Sequence, residues 1–437
     1  MDSTHQQHVN WFRASSPYIH SHRGKTLVLL ISGEAIEHSG FANLIHDIAL
    51  LNSLGVRLVL VHGARPQIEQ QLTNLNLTST FNQGHRITDL SILQAVEQAV
   101  GQVRLNIETH LSRGLINTPM SGAALRVISG NFVTAKPYGI HDGIDYCHTG
   151  EVRKIDREAI RQQLELNNIV LLSPIGYSPS GEAFNCRAED IATRTAIALG
   201  ADKLIFMMDA TAINDKNGKP VQQLNIAQCE ELIKQNTNSE ICQLHLTSAL
   251  NGCKNGVRRS HIISHNIDGS LLLELYTRDG NGTLVTAETY EGLREATIDD
   301  VGGILELIEP LENKSILTRR SREQLELEIK QFTVIERDGM IIACAALYPY
   351  ENNIAEIACL AVAEDYRHQG RGEELLNNIQ QQCSKTGIDK LFLLTTRTAH
   401  WFQERGFAES DISKLPLKKQ QLYNTQRNSK VFIKPLT

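Results

Sequence analysis

The residues best suited to chemistry in this sequence lie near its C-terminal end, around a carboxylate and a glycine-containing loop. Glu356 stands in an apolar run that is typical of a strand, and Arg367-His368-Gln369-Gly370-Arg371-Gly372 follows it, before a helical pattern. Two glycines at the start of a helix let backbone N–H groups approach a phosphate, and the helix dipole adds about half a positive charge there. The loop therefore predicts a phosphate-containing ligand, although it is not a P-loop, because no Gly-Lys-Ser/Thr follows.

The elements around this loop resemble those of one family. The loop matches the R/Q-x-x-G-x-G/A pattern of the acetyl-CoA loop in the GNAT N-acetyltransferases, and Trp401-Phe402-Gln403-Glu404-Arg405-Gly406-Phe407 matches their late W/Y-F-x-x-x-G-F element. Apolar runs at 333–337, 340–347, 355–362 and 390–394 indicate a meander of strands, with a hairpin signal at Asp338-Gly339. The resemblance implies a GNAT domain over residues 295–437, with acetyl-CoA as co-substrate and with neither metal nor ATP.

The GNAT resemblance also implies roles for individual residues. The pyrophosphate would be bound by Arg367, Gln369, Gly370, Arg371 and Gly372, and the acetyl carbonyl by the backbone N–H groups of Cys359, Leu360, Ala361 and Val362. Glu356 would take a proton from the acceptor ammonium, directly or through water, although it could instead cap a strand edge or pair with an arginine. Thr395 is the candidate proton donor to the leaving sulfur, with Tyr423 or a water molecule as alternatives.

Basic residues in the same region indicate an acidic acceptor. Arg320 lies in the run Leu317-Thr318-Arg319-Arg320-Ser321-Arg322, where GNAT folds have their acceptor-binding helices. Arg427 and Ser429 precede the final strand. An acceptor with two carboxylates needs a cation for each, and the planar guanidinium is suited to a bidentate grip.

The first part of the chain resembles a second family. From Lys25 onward, short apolar runs alternate with helical patterns, which indicates an α/β fold with a largely parallel sheet. Three segments resemble the amino acid kinase family, and acetylglutamate kinase in particular: Val61-His62-Gly63-Ala64-Arg65-Pro66-Gln67-Ile68, Gly84-His85-Arg86-Ile87-Thr88-Asp89, and Leu271-Leu272-Leu273-Glu274-Leu275-Tyr276-Thr277-Arg278-Asp279-Gly280. The resemblance implies an αβα sandwich over residues 1–288.

Kinase chemistry is nevertheless not expected from this domain. The lysine of the kinase K-x-G-G segment corresponds to Leu30, its second glycine loop has become Ala64-Arg65, and its second lysine corresponds to His245. Phosphoryl transfer depends almost entirely on electrostatic positioning, so the loss of both lysines should abolish it. We therefore expect a kinase-like fold that serves another purpose.

The arginine-inhibited acetylglutamate kinases suggest what that purpose is. They carry an extra N-terminal helix, which residues 9–19 could supply, and the segment LLLELFTDEG, which residues 271–280 resemble. By that resemblance Tyr18, Glu274 and Gly280 are candidates for an arginine effector site. A carboxylate facing a guanidinium makes a bidentate pair. Alternatively, Glu274 is a solvated residue or a core cap, and Tyr18 is an ordinary amphipathic contact.

The combination of the two domains, with a linker at 289–294, resembles the bacterial two-domain N-acetylglutamate synthases. That resemblance implies acetyl transfer from acetyl-CoA to the α-amino group of L-glutamate, with Arg320 on one carboxylate and Arg427 with Ser429 on the other. It also implies inhibition by L-arginine and a homo-oligomer, expected to be a hexamer. The alternatives are a non-catalytic arginine and CoA sensor, an N-acyl amino acid kinase, and a GNAT enzyme that acetylates another amine.

The composition argues against several other classes of protein. The 437 residues carry a net charge of −6 without a basic block, so a nucleic-acid partner is not expected. The eight cysteines show no C-x-x-C spacing and the histidines no zinc-type cluster, which is typical of reduced thiols in a cytoplasmic protein without a metal site. The N-terminal segment lacks the apolar core of a signal peptide, and no run of about 18 apolar residues predicts a membrane span.

Overall fold

The computed structural model describes residues 3–113, 125–209, 213–235, 238–287, 291–337, 339–367, 370–423 and 429–436. The chain forms two compact units, Met1–Glu288 and Thr289–Thr437. Every helix in the described part is too short or too polar to cross a membrane.

The first unit contains, in chain order, α1 (Ser3–His22), β1 (Thr26–Ile31), α2 (Gly33–Glu37), α3 (Phe41–Ser53), β2 (Arg57–His62), α4 (Arg65–Asn74), β3 (Phe81–Asn82), β4 (His85–Arg86), α5 (Leu90–Ser112), β5 (Val127–Ile128), β6 (Val133–Pro137), β7 (Ile140–His141), β8 (Ile144–Asp145), β9 (Thr149–Ile155), α6 (Arg157–Glu165), β10 (Ile169–Leu172), β11 (Ile175–Tyr177), β12 (Ala183–Cys186), α7 (Ala188–Leu199), β13 (Lys203–Met208), β14 (Gln223–Asn225), α8 (Ile226–Gln235), α9 (Glu240–Lys254), β15 (Arg259–Ser264), α10 (Ser270–Tyr276) and β16 (Thr283–Thr286).

The core of this unit is a sheet covered by helices on both faces. The strand order is β14-β16-β15-β13-β1-β2-β10-β5, and the pairs from β15 to β5 are parallel. Along β1, Leu27 and Leu29 pack with α3, α5 and α10, whereas Val28 and Leu30 pack with α6, α7 and α9. Because both faces are buried, the strands are continuous apolar runs, which is why the sequence pattern predicted them. The αβα sandwich is confirmed.

A small closed barrel, β11-β12-β9-β6, and two short hairpins, β3-β4 and β7-β8, extend from this sheet. A cavity of about 150 Å³ in this unit is lined by Leu30, Ala64 and His245 among others. His245 is buried, its Nε2 lies 3.6 Å from Glu189 Oε1, and its ring stacks on Phe206 at 5.5 Å. An aliphatic side chain and a packed imidazole therefore stand at the two positions that the resemblance predicted to correspond to kinase lysines.

The second unit contains β17 (Glu291–Glu295), α11 (Val301–Asn313), α12 (Arg322–Glu328), β18 (Phe332–Arg337), β19 (Met340–Pro349), β20 (Ile354–Val362), α13 (Arg371–Thr386), β21 (Lys390–Thr395), α14 (Ala399–Gln403), β22 (Ala408–Ser410), α15 (Leu417–Gln421) and β23 (Lys430–Pro435). Short 3-10 helices lie at Ile298–Asp300, Ile329–Gln331, Glu364–Tyr366 and Ile412–Lys414. The sheet order is β17-β18-β19-β20-β21-β23-β22.

Most of the segment expected to be a linker is part of this sheet. Residues Glu291–Glu295 pair antiparallel with β18, so the second fold starts earlier than the expected boundary at residue 295. Arg294 holds this strand in place. Its guanidinium makes a bidentate contact with Asp300 at 2.7 and 2.8 Å and a further contact with Glu336 at 2.6 Å. The strand Glu291–Glu295 has the sequence EGLRE, which is mostly charged and has no alternation of apolar and polar residues. This is why the sequence did not indicate a strand.

Candidate active site and effector site

Two neighbouring strands of the second unit part in the middle of the sheet. Strand β20 pairs in parallel with β21 only from Ile354 to Glu356, opposite Lys390 to Phe392. Beyond Glu356, β20 continues to Val362 paired with β19, and no further β21 pairing is found in the described residues. The β21-facing edge of β20 is therefore open from this point, and its backbone N–H groups are available to a ligand that enters between the strands.

A β-bulge lies within the open part of β20. The register with β19 shifts between Cys344 and Ala346, and Cys359 has a φ of 52°, in the left-handed region. Such a conformation is uncommon for a residue other than glycine, and bulges of this kind redirect backbone groups. Cys359 itself is buried and faces the α11 and α12 core, as expected for a small core residue. The bulge, rather than the thiol, is thus the feature that faces the opening.

The glycine loop follows directly at the end of β20. Gly370 has a φ of 85° and precedes helix α13, so its conformation requires glycine. A Cβ at Gly372 would lie 3.3 Å from Cζ2 of Trp401, so this glycine also allows the late aromatic element to pack on the helix start. A cavity of about 330 Å³ lies beside the loop and is lined by Val362, Ala363 and Arg367 among others.

The two arginines of the loop have different surroundings. Arg367 is exposed and its Nε donates to the Val362 carbonyl at 3.3 Å. The Arg371 side chain is buried, with its guanidinium 4.8 Å from the centre of the Tyr366 ring. The role of Arg371 in ligand binding stays a prediction, and with this side chain buried it would involve the backbone N–H at the helix start. Gln369 lies outside the described residues.

Glu356 is the buried carboxylate at the point where the strands part. Its side chain is 7% exposed, its Oε1 lies 2.6 Å from Nζ of Lys419, and its Oε2 accepts a hydrogen bond from the Tyr350 hydroxyl at 3.2 Å. Burial is the largest cause that raises the pKa of Tyr350, and the negative charge of Glu356 is the next. The hydroxyl therefore stays protonated and can donate. The pairing partner is a lysine, not the arginine that the sequence analysis considered as an alternative.

The two candidate proton donors, Thr395 and Tyr423, differ in the hydrogen bonds that their hydroxyl groups make. Thr395, at the end of β21, is half-buried, and its Oγ1 accepts from the backbone N–H groups of Arg397 and Thr398 and contacts the Thr398 hydroxyl at 2.9 Å. The Tyr423 hydroxyl donates to the Ser429 carbonyl at 2.7 Å. The Tyr423 proton is therefore already used within the fold, whereas the Thr395 hydroxyl shares a hydrogen bond with the Thr398 hydroxyl in which either oxygen can be the donor.

The candidate acceptor-binding residues are described only in part. Arg320 lies before α12, close to Cys359 and Tyr348, and its backbone N–H donates to Glu312 at 3.0 Å. Its Nε is buried and has no hydrogen-bond partner among the described residues. Ser429 is buried at the start of β23. Arg427 lies outside the described residues, so its predicted pairing with Ser429 stays a prediction.

A second polar cluster is buried in the first unit, between β13, β15 and α10. Lys203 Nζ lies 3.2 Å from His261 Nε2, and His261 Nδ1 lies 2.6 Å from Glu274 Oε1. Because the lysine is a donor, His261 must accept through Nε2 and donate through Nδ1, which makes it a neutral imidazole. Burial, as the larger cause, and the positive charge of Lys203 together lower the pKa of His261 to about 4.

Glu274 is the anchor of this cluster. It is only 9% exposed, and its Oε2 accepts from the backbone N–H groups of Asn281 and Gly282 at 2.8 and 2.9 Å. Burial alone would raise its pKa, but the hydrogen bonds from His261 and the two backbone groups lower the pKa to about 2. The alternative that Glu274 is a solvated residue is wrong.

The other effector candidates lie in the loop that follows Glu274 and on helix α1. Gly280 has a φ of 61°, and a Cβ there would lie 2.5 Å from Glu274 Oε2. Helix α1, which carries Tyr18, packs on α10, and His22 meets the Tyr276 ring edge-on at 5.6 Å. The Tyr276 hydroxyl and both polar atoms of the Asn281 amide are buried without a hydrogen-bond partner among the described residues. Such groups are where a polar ligand can be held.

Comparison with known proteins places both units in known families. The model of the amino acid kinase family matches residues 25–264, and that of the acetyltransferase (GNAT) family matches residues 303–407. The amino-acid acetyltransferase of Pseudomonas putida is 55% identical over 430 residues, which cover 98% of this chain and 99% of that protein. The amino-acid acetyltransferase of Azotobacter vinelandii is 55% identical and covers 99% of this chain and 100% of that protein. The chain belongs to the amino-acid acetyltransferase family.

Solved structures support the same family. N-acetylglutamate synthase from Neisseria gonorrhoeae, complexed with coenzyme A and L-arginine, is 37% identical with a TM-score of 0.86 and covers 98% of this chain and 99% of that protein. The same enzyme complexed with coenzyme A and N-acetyl-glutamate is 36% identical with a TM-score of 0.63, at the same coverage. This amino-acid acetyltransferase is thus an acyltransferase with a kinase-like and a GNAT domain.

The structure of this family member brings together several residues that the sequence analysis did not indicate. Lys419 and Tyr350 contact Glu356, and Lys203 and His261 complete the Glu274 cluster. Lys419 lies in a short polar helix next to Lys418, a pattern typical of a solvated surface. The contacts of these residues are long-range, and no local motif indicates them.

Proposed function

We propose that this enzyme transfers the acetyl group of acetyl-CoA to the α-amino group of L-glutamate, giving N-acetyl-L-glutamate and CoA. The observation that carries the proposal is the position of Glu356, a buried carboxylate at the point where β20 and β21 part, ahead of the glycine loop and α13. The gonococcal relative, solved with coenzyme A and with N-acetyl-glutamate, supports the same pair of substrates.

In the proposed reaction the transfer is direct. Glu356 takes a proton from the ammonium of glutamate, and the free amine attacks the thioester carbonyl. The developing oxyanion is stabilised by backbone N–H groups of β20 around the bulge at Cys359. As the C–S bond breaks, the CoA thiolate receives a proton from the Thr395 hydroxyl, which is the better placed donor because Tyr423 is bound to Ser429.

The proposed acceptor site holds glutamate through its two carboxylates. Arg320 offers a guanidinium whose buried Nε lacks a partner in the described part of the chain, and an acceptor carboxylate would satisfy it. Arg427 and Ser429 would hold the second carboxylate. Two cations would favour an amino dicarboxylate over lysine or ornithine, whose side chains carry a positive charge.

We also propose that the kinase-like unit binds L-arginine and thereby inhibits the enzyme, as an end product of the pathway that N-acetyl-glutamate enters. The gonococcal relative complexed with L-arginine supports this proposal. The Glu274 cluster supports it as well, because the Tyr276 hydroxyl and the Asn281 amide are buried there with no hydrogen-bond partner in the described part of the chain. Glu274 would pair with the guanidinium, Gly280 would leave room beside it, and Tyr18 would cover it from α1. A hexameric ring in the cytoplasm, without metal or ATP dependence, completes the proposal.

The experiment that tests this function follows release of free thiol from acetyl-CoA with L-glutamate, L-aspartate, L-ornithine or L-lysine, each with and without L-arginine. The proposal predicts turnover with glutamate alone and its suppression by arginine. No thiol release with any acceptor would contradict the acetyltransferase assignment and favour a sensor. ATP hydrolysis in a parallel assay would favour a kinase.

A further inference from the structure

The candidate base already contacts an amine that belongs to the chain itself. Lys419 Nζ lies 2.6 Å from Glu356 Oε1, and the lysine side chain is 23% exposed. This is the distance at which a general base takes a proton from an acceptor. Most lysines with such a contact are structural ion-pair partners, but here the carboxylate lies at the mouth of an opening that accepts an acetyl donor.

We propose that Lys419 is an internal acceptor, which the enzyme acetylates on Nζ when no free acceptor is bound. The inference rests on the proposed function, because it uses the same base and the same donor. The Lys419 ammonium occupies the place at Glu356 that the α-ammonium of glutamate would take. The four-carbon stem of lysine is flexible, so the amine can swing from the carboxylate toward the thioester between the strands.

The step is the proposed chemistry of the site with a different amine. Glu356 takes one proton from the Lys419 ammonium, and the neutral amine attacks the thioester carbonyl. The C–S bond breaks as the new C–N bond forms, the second proton leaves with solvent, and the CoA thiolate is protonated to CoA. The products are Nε-acetyl-Lys419 and free CoA, with no oxidant or further co-reactant.

The same contact makes self-acetylation compete with glutamate. Lys419 Nζ lies against Glu356 Oε1 and the Tyr350 hydroxyl against Oε2, so glutamate whose ammonium took the place of Lys419 at Oε1 would displace this lysine and protect it. Once acetylated, Lys419 has lost its charge and its ion pair, and its acetamide lies in the path of the acceptor amine. Enzyme kept with acetyl-CoA alone should therefore gain an acetyl group and lose turnover in parallel.

Lys418 is a matched internal control for this modification. It is the preceding residue on the same short helix α15, its side chain is 78% exposed, and its nearest carboxylate is Glu351 at 3.8 Å. Acetyl-CoA modifies exposed lysines slowly without catalysis, and Lys418 is more accessible than Lys419. Uncatalysed chemistry would therefore modify Lys418 first, whereas catalysis by Glu356 would modify Lys419 first.

The experiment incubates the full-length enzyme with acetyl-CoA, with and without saturating L-glutamate, and measures acetyl occupancy at both lysines by peptide mass spectrometry after cleavage at acidic residues. We expect Lys419 to be acetylated well ahead of Lys418 and glutamate to suppress this. Glu356→Gln should slow acetylation of Lys419 by about 10²-fold without affecting Lys418. Thermal melting and CoA binding of that variant verify that it is folded.

The outcomes separate this inference from the proposed function. Turnover of glutamate without acetylation of Lys419, or equal acetylation of both lysines regardless of Glu356 and glutamate, overturns the inference and leaves the proposed function standing. Acetylation of Lys419 without turnover of glutamate supports the inference and contradicts the proposed acceptor. Neither reaction, in enzyme that binds CoA, contradicts both. The variant Lys418→Arg should leave the turnover of glutamate and the acetylation of Lys419 unchanged.

Discussion

His261 Nδ1 lies 2.6 Å from Glu274 Oε1, and this contact joins β15 to α10 inside the kinase-like unit. The other oxygen of this carboxylate, Oε2, accepts hydrogen bonds from the backbone N–H groups of Asn281 and Gly282 in the following loop. Glu274 is thus held ionised in a buried place, with its orientation fixed from two sides. A carboxylate that is fixed in this way needs no rearrangement to meet a guanidinium.

The variant Glu274→Gln should lose arginine inhibition while acetyl transfer persists. The amide removes the negative charge, and its NH2 group must face either the backbone N–H groups of Asn281 and Gly282 or the Nδ1–H of His261. We expect the arginine concentration for half-maximal inhibition to rise by about 10-fold or more, measured by thiol release with glutamate. The exposed Glu165→Gln, on α6, is the charge-matched control. Unchanged inhibition in Glu274→Gln would remove Glu274 from the effector site.

The variant Gly280→Ala should be destabilised and insensitive to arginine. Its Cβ would lie 2.5 Å from Glu274 Oε2, in addition to the strain of a φ of 61°. Gly200 has the same φ of 61° with open space around its Cβ position, so Gly200→Ala reports the strain alone. We expect a larger drop in thermal midpoint for Gly280→Ala than for Gly200→Ala. Equal drops would show that the approach to Glu274 has no energetic consequence.

The variant Glu356→Gln should lower kcat for thiol release with glutamate by about 10²- to 10⁴-fold, the usual contribution of a general base. Acetyl-CoA binding should persist, because the glycine loop and the start of α13 are untouched. The control is Glu351→Gln, a highly exposed carboxylate in the turn between β19 and β20. A variant with wild-type kcat at neutral pH would show that another group accepts the proton.

The variant Arg320→Ala should raise the KM for glutamate by about 10- to 100-fold, the range expected for loss of a charged hydrogen bond. The KM for acetyl-CoA should change little. Arg319→Ala removes an exposed arginine at the preceding position and should behave like the parent enzyme. If both substrates lost affinity equally in Arg320→Ala, the residue would support the fold around Cys359 rather than bind the acceptor.

The stability of the kinase-like unit should fall as the pH is lowered from about 7 to 5. Burial lowers the pKa of His62 to about 4, against 6.5 for the exposed side chain, while Nδ1 donates to Gly63 and Nε2 accepts from Ser173. Between these two pH values the unfolded state binds the extra proton, so the stabilisation is present above pH 6.5 and is lost as pH falls toward 4. This histidine alone should cost about 2 kcal/mol at pH 5.

Thermal midpoints of the parent and His62→Asn across this pH range test the assignment. The variant should be less stable at pH 7 but show a shallower decline on acidification, because one buried titrating group is gone. Asp47, whose pKa burial raises to about 7, contributes with the opposite sign but is common to both proteins and cancels in the comparison. His20→Asn, at an exposed position on α1, should leave the slope unchanged.

The sequence was most informative where the signal is local. The alternation of short apolar runs with helical patterns indicated the sheet of the first unit, because strands buried on both faces, such as Thr26–Ile31 and Ile169–Leu172, are continuous apolar runs. The glycine loop was recognisable because a left-handed Gly370 and the start of α13 need particular residues at particular spacings. The strand Glu291–Glu295 was missed, since its stability comes from antiparallel pairing with residues about 40 positions later.

The sequence alone determined the two folds, their order, and the loops at which ligands are expected. Only the tertiary structure decided which groups surround each candidate residue: Lys419 and Tyr350 on Glu356, His261 and two backbone N–H groups on Glu274, and Tyr366 on the Arg371 side chain. The reason is physical. Apolar periodicity and turn chemistry are encoded within a few residues, whereas a buried ion pair depends on the three-dimensional approach of segments far apart in the chain, which leaves no periodic trace in either one.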